Sequence, residues 1–161
     1  MIKGKKFPKV EGESLSGKEV TIPDDVTGDA VLVGVAFKRE AQEMLDSWTH
    51  YFNALCEGRK DIYELPMIEG SLWKIFSSFI DGGMKSGIPE DQHDKVVTHY
   101  GDASDVKEKL EIEDDSLGYV FLLDEEGYIL FKGEGYADEE GKEELLEHIK
   151  VVCAPEEMKG D

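Results

Sequence analysis

The sequence has few cysteines and lacks a long apolar run. Its 161 residues include only two cysteines, Cys56 and Cys153, which lie far apart. This spacing excludes a dense disulfide framework and a paired Cys-x-x-Cys motif, and it favours a reducing compartment. The longest uninterrupted apolar run, residues 30–37, has eight residues, whereas a membrane-spanning helix needs about 20. We therefore expect no transmembrane segment.

Basic residues are also scarce. The chain has 18 Lys and Arg against 37 Asp and Glu, which gives a net charge of −19. Such a field repels phosphates, so a nucleic-acid partner is not expected. Residues 1–8 are basic, but Glu11 and Glu13 follow them where a secretory signal would have an apolar stretch. We expect one globular domain, 1–161, in the cytoplasm.

The first half of the chain predicts alternating strands and helices. Alternation around a Ser-Gly turn predicts a short hairpin over residues 12–23. Residues 30–37 are apolar on both faces, as in a central strand that helices cover. Apolar residues at helical spacing predict a helix from Ala41 to about Gly58, and residues 61–68 resemble a second strand.

The second half predicts more helix and a second hairpin. Pro89-Glu90-Asp91 resembles a first helical turn and predicts a helix to about Tyr100. A short charged helix should span residues 102–110, and two strands at 118–124 and 128–131 should form a hairpin. A final helix over 139–152 has Asp138 available as its N-cap, and residues 155–161 should form a frayed tail.

This order of elements resembles a thioredoxin-like α/β fold. We expect a central mixed β-sheet flanked by helices, with the N-terminal hairpin and a helical insertion at 70–116. In thioredoxins the reactive cysteines lie at the start of the helix that follows the first central strand. Aligned from Phe37, the two cysteine positions are Gln42 and Leu45. Lys38 and Arg39 complete this degenerate site, which has no nucleophile for disulfide exchange or peroxide reduction.

The sequence gives only weak indications of a phosphate-binding, metal-binding or thiol site. The glycines at 82–87 have the wrong spacing for a phosphate loop, and the acidic run 111–115 is typical of a solvated loop, with a weak cation site as the alternative. We interpret Cys56 and Cys153 as packing residues, and we expect no cofactor. The four histidines are not spaced as metal ligands usually are, since none forms a His-x-x-x-His pair. They are His50, His93, His99 and His148.

The predicted insertion has a surplus of apolar residues. They are flanked by glycines and must be covered by the domain, a second copy or a partner. If part of this surface is open, its aromatic and Met side chains suit an apolar polypeptide. The candidate binding residues are Trp73, Phe76, Phe79 and Met84.

Several passages resemble the assembly factors for the membrane sector of the mitochondrial ATP synthase. These factors are distant relatives of the redoxin branch of the thioredoxin superfamily. The passages are residues 33–52 with Asp46-Ser47-Trp48, 63–68, 87–102, 118–124, Gly127, and 133–140 with Gly133-Glu134-Gly135-Tyr136-Ala137.

The resemblance implies a redox-silent fold that acts as a chaperone for a hydrophobic ATP synthase subunit. We expect the chain to differ from mitochondrial members in having no targeting presequence. Ile129-Leu130-Phe131 also replaces a basic-aromatic pair that is common in the family. Two other hypotheses stay open. One is a divergent thiol peroxidase or thiol-disulfide oxidoreductase that uses Cys56 or Cys153, and the other is self-association, as a homodimer, through Trp73 and Phe76.

Overall fold

The computed structural model of the chain describes residues 4–14, 16–26, 31–55, 62–68 and 95–149. These residues form strands and helices in the following chain order: β1 (Val10–Ser14), β2 (Glu19–Ile22), β3 (Val31–Ala36), α1 (Gln42–Leu55), β4 (Ile62–Ile68), β5 (Val97–Tyr100), α2 (Ser104–Lys109), β6 (Tyr119–Leu123), β7 (Ile129–Glu134) and α3 (Glu139–Ile149). A single turn of 3-10 helix, Arg39–Ala41, leads into α1.

The described strands form one seven-stranded mixed sheet. Its order is β2-β1-β5-β4-β3-β6-β7. The β3–β4 and β4–β5 pairs are parallel, and the other pairs are antiparallel. The sheet and its helices confirm the predicted α/β architecture with an N-terminal hairpin. Strand β4 lies at the centre, with three strands on each side.

Residues on the central strands alternate between two buried faces, as the period of two along a strand requires. On what we call the α1 face, Leu32 and Leu122 pack with Leu45 of α1 and Leu145 of α3. On the opposite face, Val33 and Phe121 pack with Phe7, and with Val106 of α2. Every residue of β3 is buried, which confirms the prediction that this segment is a central strand.

Most predicted elements are present near their predicted bounds. The two hairpins, strands β3 and β4, and helices α1, α2 and α3 are all observed. The backbone N–H of Gly141 donates to Asp138 Oδ1 at 2.7 Å, so Asp138 caps α3 as its sequence position predicts.

The helix that the sequence predicts from Pro89 to about Tyr100 is wrong at its described end; residues 89–94 lie outside the described residues. Val97–Tyr100 form β5, which lies between β1 and β4. Val97 and Thr98 are β-branched and buried, and such side chains favour a pleated, enclosed strand over a helix. The predicted insertion 70–116 is therefore not wholly helical, because it contributes a strand to the sheet. Its residues 70–94 lie outside the described residues, as does the predicted tail 155–161.

None of the helices that the structure describes is long and apolar enough to span a membrane.

Trp48 of α1 packs against two glycine residues, Gly133 of β7 and Gly141 of α3. A Cβ atom at Gly133 would lie 2.7 Å from Trp48 Cζ2, and one at Gly141 would lie 2.6 Å from Cη2. Carbon atoms do not approach this closely, so the indole fits here only because both residues lack a side chain. Trp48 is 2% exposed and also contacts the Phe131 ring at a centroid distance of 5.5 Å.

We expect Gly133→Ala to lower the free energy of unfolding by about 1–3 kcal/mol, because the added methyl group overpacks the Trp48 site. Urea unfolding followed by tryptophan fluorescence measures this change. The control is Glu140→Ala at an exposed position of α3, which should change stability by less than about 0.5 kcal/mol. Equal effects of the two substitutions would contradict the tight packing of the indole.

Candidate functional site

The first half of α1 is bound to the segment between β7 and α3. Trp48 Nε1 donates to the Gly135 carbonyl oxygen at 2.8 Å. The Ala137 backbone N–H donates to Ser47 Oγ at 2.9 Å, and that hydroxyl donates to the Met44 carbonyl oxygen at 2.6 Å. These contacts join the passages 46–48 and 133–137, which lie far apart in the sequence.

The start of β6 completes this junction. The Gly118 N–H donates to Met44 Sδ at 3.3 Å, and the Gly118 carbonyl oxygen accepts from the Gly135 N–H at 2.8 Å. A Cβ atom at Gly118 would lie 2.9 Å from the Ala41 carbonyl oxygen, so only glycine allows α1 and β6 to come this close. Three of the passages that carry the family resemblance therefore meet around the first half of α1.

Tyr136 lies on the rim of this junction. It is 55% exposed, the largest exposure among the large apolar side chains in the described part of the chain. Its hydroxyl donates to Glu43 Oε2 at 3.1 Å. This hydrogen bond raises the pKa of Tyr136, because the carboxylate stabilises the protonated phenol.

The predicted degenerate site begins at Lys38, which forms an ion pair. Lys38 Nζ lies 3.4 Å from Asp115 Oδ1, and Lys107 Nζ lies 3.0 Å from Asp115 Oδ2. The hydrogen bond from Lys107 and then that from Lys38 lower the pKa of Asp115. Lys107 also lies over the Phe37 ring, 4.8 Å from its centroid. The end of β3 is thus bound to α2 and to the acidic loop.

The acidic loop 111–115 is ordered by its own hydrogen bonds. Tyr119 Oη donates to the Asp114 carbonyl oxygen at 2.8 Å. Hydrogen bonds from the Ser116 side chain and backbone lower the pKa of Asp114. No group of three or more metal-ligating side chains occurs within the described ranges, and the weak cation site stays a sequence prediction.

The two positions that align with thioredoxin cysteines have different surroundings. Leu45 is 1% exposed and packs on Gly34 of β3. Gln42 Nε2 instead donates to Asp46 Oδ1 at 3.0 Å and to Glu64 Oε1 at 3.2 Å. Arg39 lies in the 3-10 turn, and its side chain is outside the described residues. The local chemistry at positions 42 and 45 is hydrogen bonding and apolar packing.

Glu64 was not singled out from the sequence. It lies on the central strand β4, and its largely buried side chain points to the α1 face. Burial is the main reason why the pKa of Glu64 is raised; Gln42 partly offsets this effect, and the Asp46 charge adds to it. No motif marks such a residue, since it depends on a contact between α1 and β4.

Several candidate residues lie outside the described ranges. The four candidate polypeptide-binding residues, Trp73, Phe76, Phe79 and Met84, belong to this group, and so do Cys56 and Cys153. Their roles stay predictions.

A family model matches most of the chain. The model described as "ATP10 protein" matches residues 2–152. The chain belongs to the ATP10 protein family. Membership confirms the resemblance that the sequence passages indicate. Three of those passages meet in the junction around α1 of this ATP10-family chain. A comparison with curated proteins found no significant match.

Solved structures similar to this ATP10-family protein have thioredoxin-like folds. A thiol:disulfide interchange protein from a Bacteroides species is 18% identical, with 98% of this chain and 93% of that chain covered and a TM-score of 0.56. The exposed lipoprotein thioredoxin Etrx1 of Streptococcus pneumoniae is 14% identical, with 90% and 100% covered and a TM-score of 0.56. Yeast Sco1 is 16% identical, with 93% and 97% covered and a TM-score of 0.55. At these identities the similarity establishes the fold, which is thioredoxin-like as predicted.

We expect Ser47→Ala to lower the free energy of unfolding by about 1–3 kcal/mol, because it leaves the partly buried Ala137 N–H without its acceptor. Chemical denaturation measures the loss. Asn53→Ala is the matched control, since Asn53 is exposed on the same helix. If Ser47→Ala is as stable as the control, the hydrogen bond does not hold α1 to the 133–137 segment.

Proposed function

We propose that this chain is a redox-inactive assembly protein that holds an apolar polypeptide of the ATP synthase membrane sector. Membership in the ATP10 family supports the assembly role. The redox-inactive part is supported mainly by the sequence alignment from Phe37, which puts Gln42 and Leu45 at the two positions where thioredoxins have their cysteines.

The contacts of both residues favour a structural use of this turn. Leu45 belongs to the buried cluster on the α1 face, and Gln42 joins α1 to β4 through Glu64. A reactive thiolate needs an exposed position at the helix start that stabilises its charge. A buried leucine and an amide between two carboxyl groups do not supply such a position. This argument favours a binding protein over a thiol enzyme.

The client-binding segment in this proposal is the apolar passage with Trp73, Phe76, Phe79 and Met84. Its composition supports the assignment, because aromatic and Met side chains adapt to irregular apolar partners. An apolar client agrees with the membrane-sector role that the family resemblance implies. We place this holding step in the cytoplasm. A second copy of the chain is the competing occupant.

We expect the Trp73→Ala/Phe76→Ala variant to lose most of its holding activity. The assay uses a labelled synthetic apolar helix of about 20 residues, the length of a membrane span. It measures how much of this peptide stays soluble as the protein concentration rises. Loss of two aromatic anchors should weaken binding about tenfold or more.

The control is Tyr128→Ala, which removes an aromatic side chain that is 39% exposed on the β6–β7 hairpin. It should hold the peptide as well as the unsubstituted protein. Urea unfolding establishes that both variants are folded. If the unsubstituted protein and both variants keep equal amounts of the peptide soluble, the passage with Trp73 and Phe76 does not bind the client. A concentration-dependent dimer in sedimentation that Trp73→Ala abolishes would favour self-association.

A further inference from the structure

Glu64 is a carboxyl group at the centre of the sheet. It lies on β4 opposite Gly34 of β3, and a bridge joins it to Val96 next to β5. Its neighbours Leu65 and Met67 are fully buried on the opposite face. Because side chains alternate along a strand, Glu64 points toward α1, where Gln42 meets it. The carboxyl group thus lies partly buried between helix and sheet.

An amide group joins this carboxyl to a second one. Gln42 Nε2 donates to Glu64 Oε1 at 3.2 Å and to Asp46 Oδ1 at 3.0 Å. We call Gln42, Asp46 and Glu64 the clasp. It spans the first two turns of α1 and the central strand, so any change at Glu64 acts directly on the start of the helix.

The clasp lacks a compensating cation among the described residues. From α1 the charged group that faces Glu64 is Asp46, and β3 and the start of β5 present Gly34 and Val96. The nearby lysines are engaged elsewhere: Lys38 pairs with Asp115, and Lys95 lies over the Tyr63 ring. Ionised Glu64 therefore meets a negative neighbour in a partly buried site.

Ionisation of Glu64 favours a state in which water solvates the carboxylate more fully than in the closed structure. Burial and the Asp46 charge raise the pKa of Glu64 in the closed structure. In an open state that water reaches, its pKa returns toward the usual value of about 4.3. Between these two pKa values the closed state binds more protons than the open state, so closure weakens as pH rises through that window.

We infer that the clasp is a proton-controlled device that governs local opening of the first two turns of α1. With Glu64 protonated, the neutral carboxyl accepts from Gln42 and holds α1 on β4. With Glu64 ionised, desolvation and repulsion from Asp46 favour release of the helix start. This device is independent of any client and goes beyond the proposed assembly role.

Hydrogen exchange measured by NMR on the full chain from about pH 4 to about pH 8 tests the device across the window above the usual Glu pKa. After correction for intrinsic exchange, protection of the α1 amides from Leu45 to Tyr51 should fall as pH rises. The fall should be about tenfold for each unit by which the pKa is raised. Amides of β6, Val120–Leu122, report global unfolding, which exposes Glu64 as well and should therefore show the same fall. The opening is local if the α1 amides are less protected than these β6 amides at every pH.

Two variants distinguish the clasp from a general effect of pH. Glu64→Gln keeps the shape and removes the charge, so protection of α1 should become independent of pH. Asp46→Asn removes the repelling neighbour and lowers the pKa of Glu64 in the closed structure, so the fall should end at a lower pH and become smaller. A fall that persists unchanged in Glu64→Gln would overturn the inference.

A measurement on the unsubstituted protein makes the test independent of the variants. The 13C shift of the Glu64 side-chain carboxyl reports its titration directly. Its midpoint should lie above the usual Glu range and should mark the pH at which the fall in α1 protection ends. A carboxyl that titrates in the usual range, or titrates while α1 protection stays constant, would also overturn the inference.

Discussion

The enclosure of the Trp48 indole is the constraint on which the site depends. Its ring fits between Gly133 and Gly141, and its N–H satisfies the Gly135 carbonyl oxygen. This one side chain therefore fixes α1 relative to β7 and α3. Once α1 is fixed, its first turns lie against Gly118 and Glu64. The junction at the helix start is thus a consequence of packing at the middle of the helix.

The fold places these contacts where thioredoxins perform thiol chemistry, but the residues serve another purpose. In a thioredoxin the start of this helix stabilises a thiolate. Here the same turn holds Leu45 in the core and Gln42 between two carboxyl groups. A polar amide and a buried leucine make this turn a scaffold. The scaffold is compatible with an assembly protein whose binding surface lies elsewhere in the chain.

Local patterns were sufficient to predict most elements of this fold. Residues 30–37 predicted a central strand because they are apolar on both faces, and α1 followed from helical spacing. Strand β5 was missed because a four-residue strand carries too little periodicity to outweigh an apparent helix start. Glu64 was missed for a different reason: nothing in the sequence near it shows that Gln42 and Asp46 will face it. Likewise, the Trp48–Gly135 bond joins residues 87 positions apart, so the passages were recognisable but their contact was not.

The proposed function requires that this thioredoxin-like chain does not use thiol chemistry. It is tested most directly by hydroperoxide turnover and by insulin-disulfide reduction, each with a thiol reductant supplied and with thioredoxin as the positive control. The purified protein is compared with the Cys56→Ser/Cys153→Ser variant. The account predicts no turnover above background by either protein. Turnover by the unsubstituted protein that is lost in the variant would contradict it and would place the chain among the thiol enzymes.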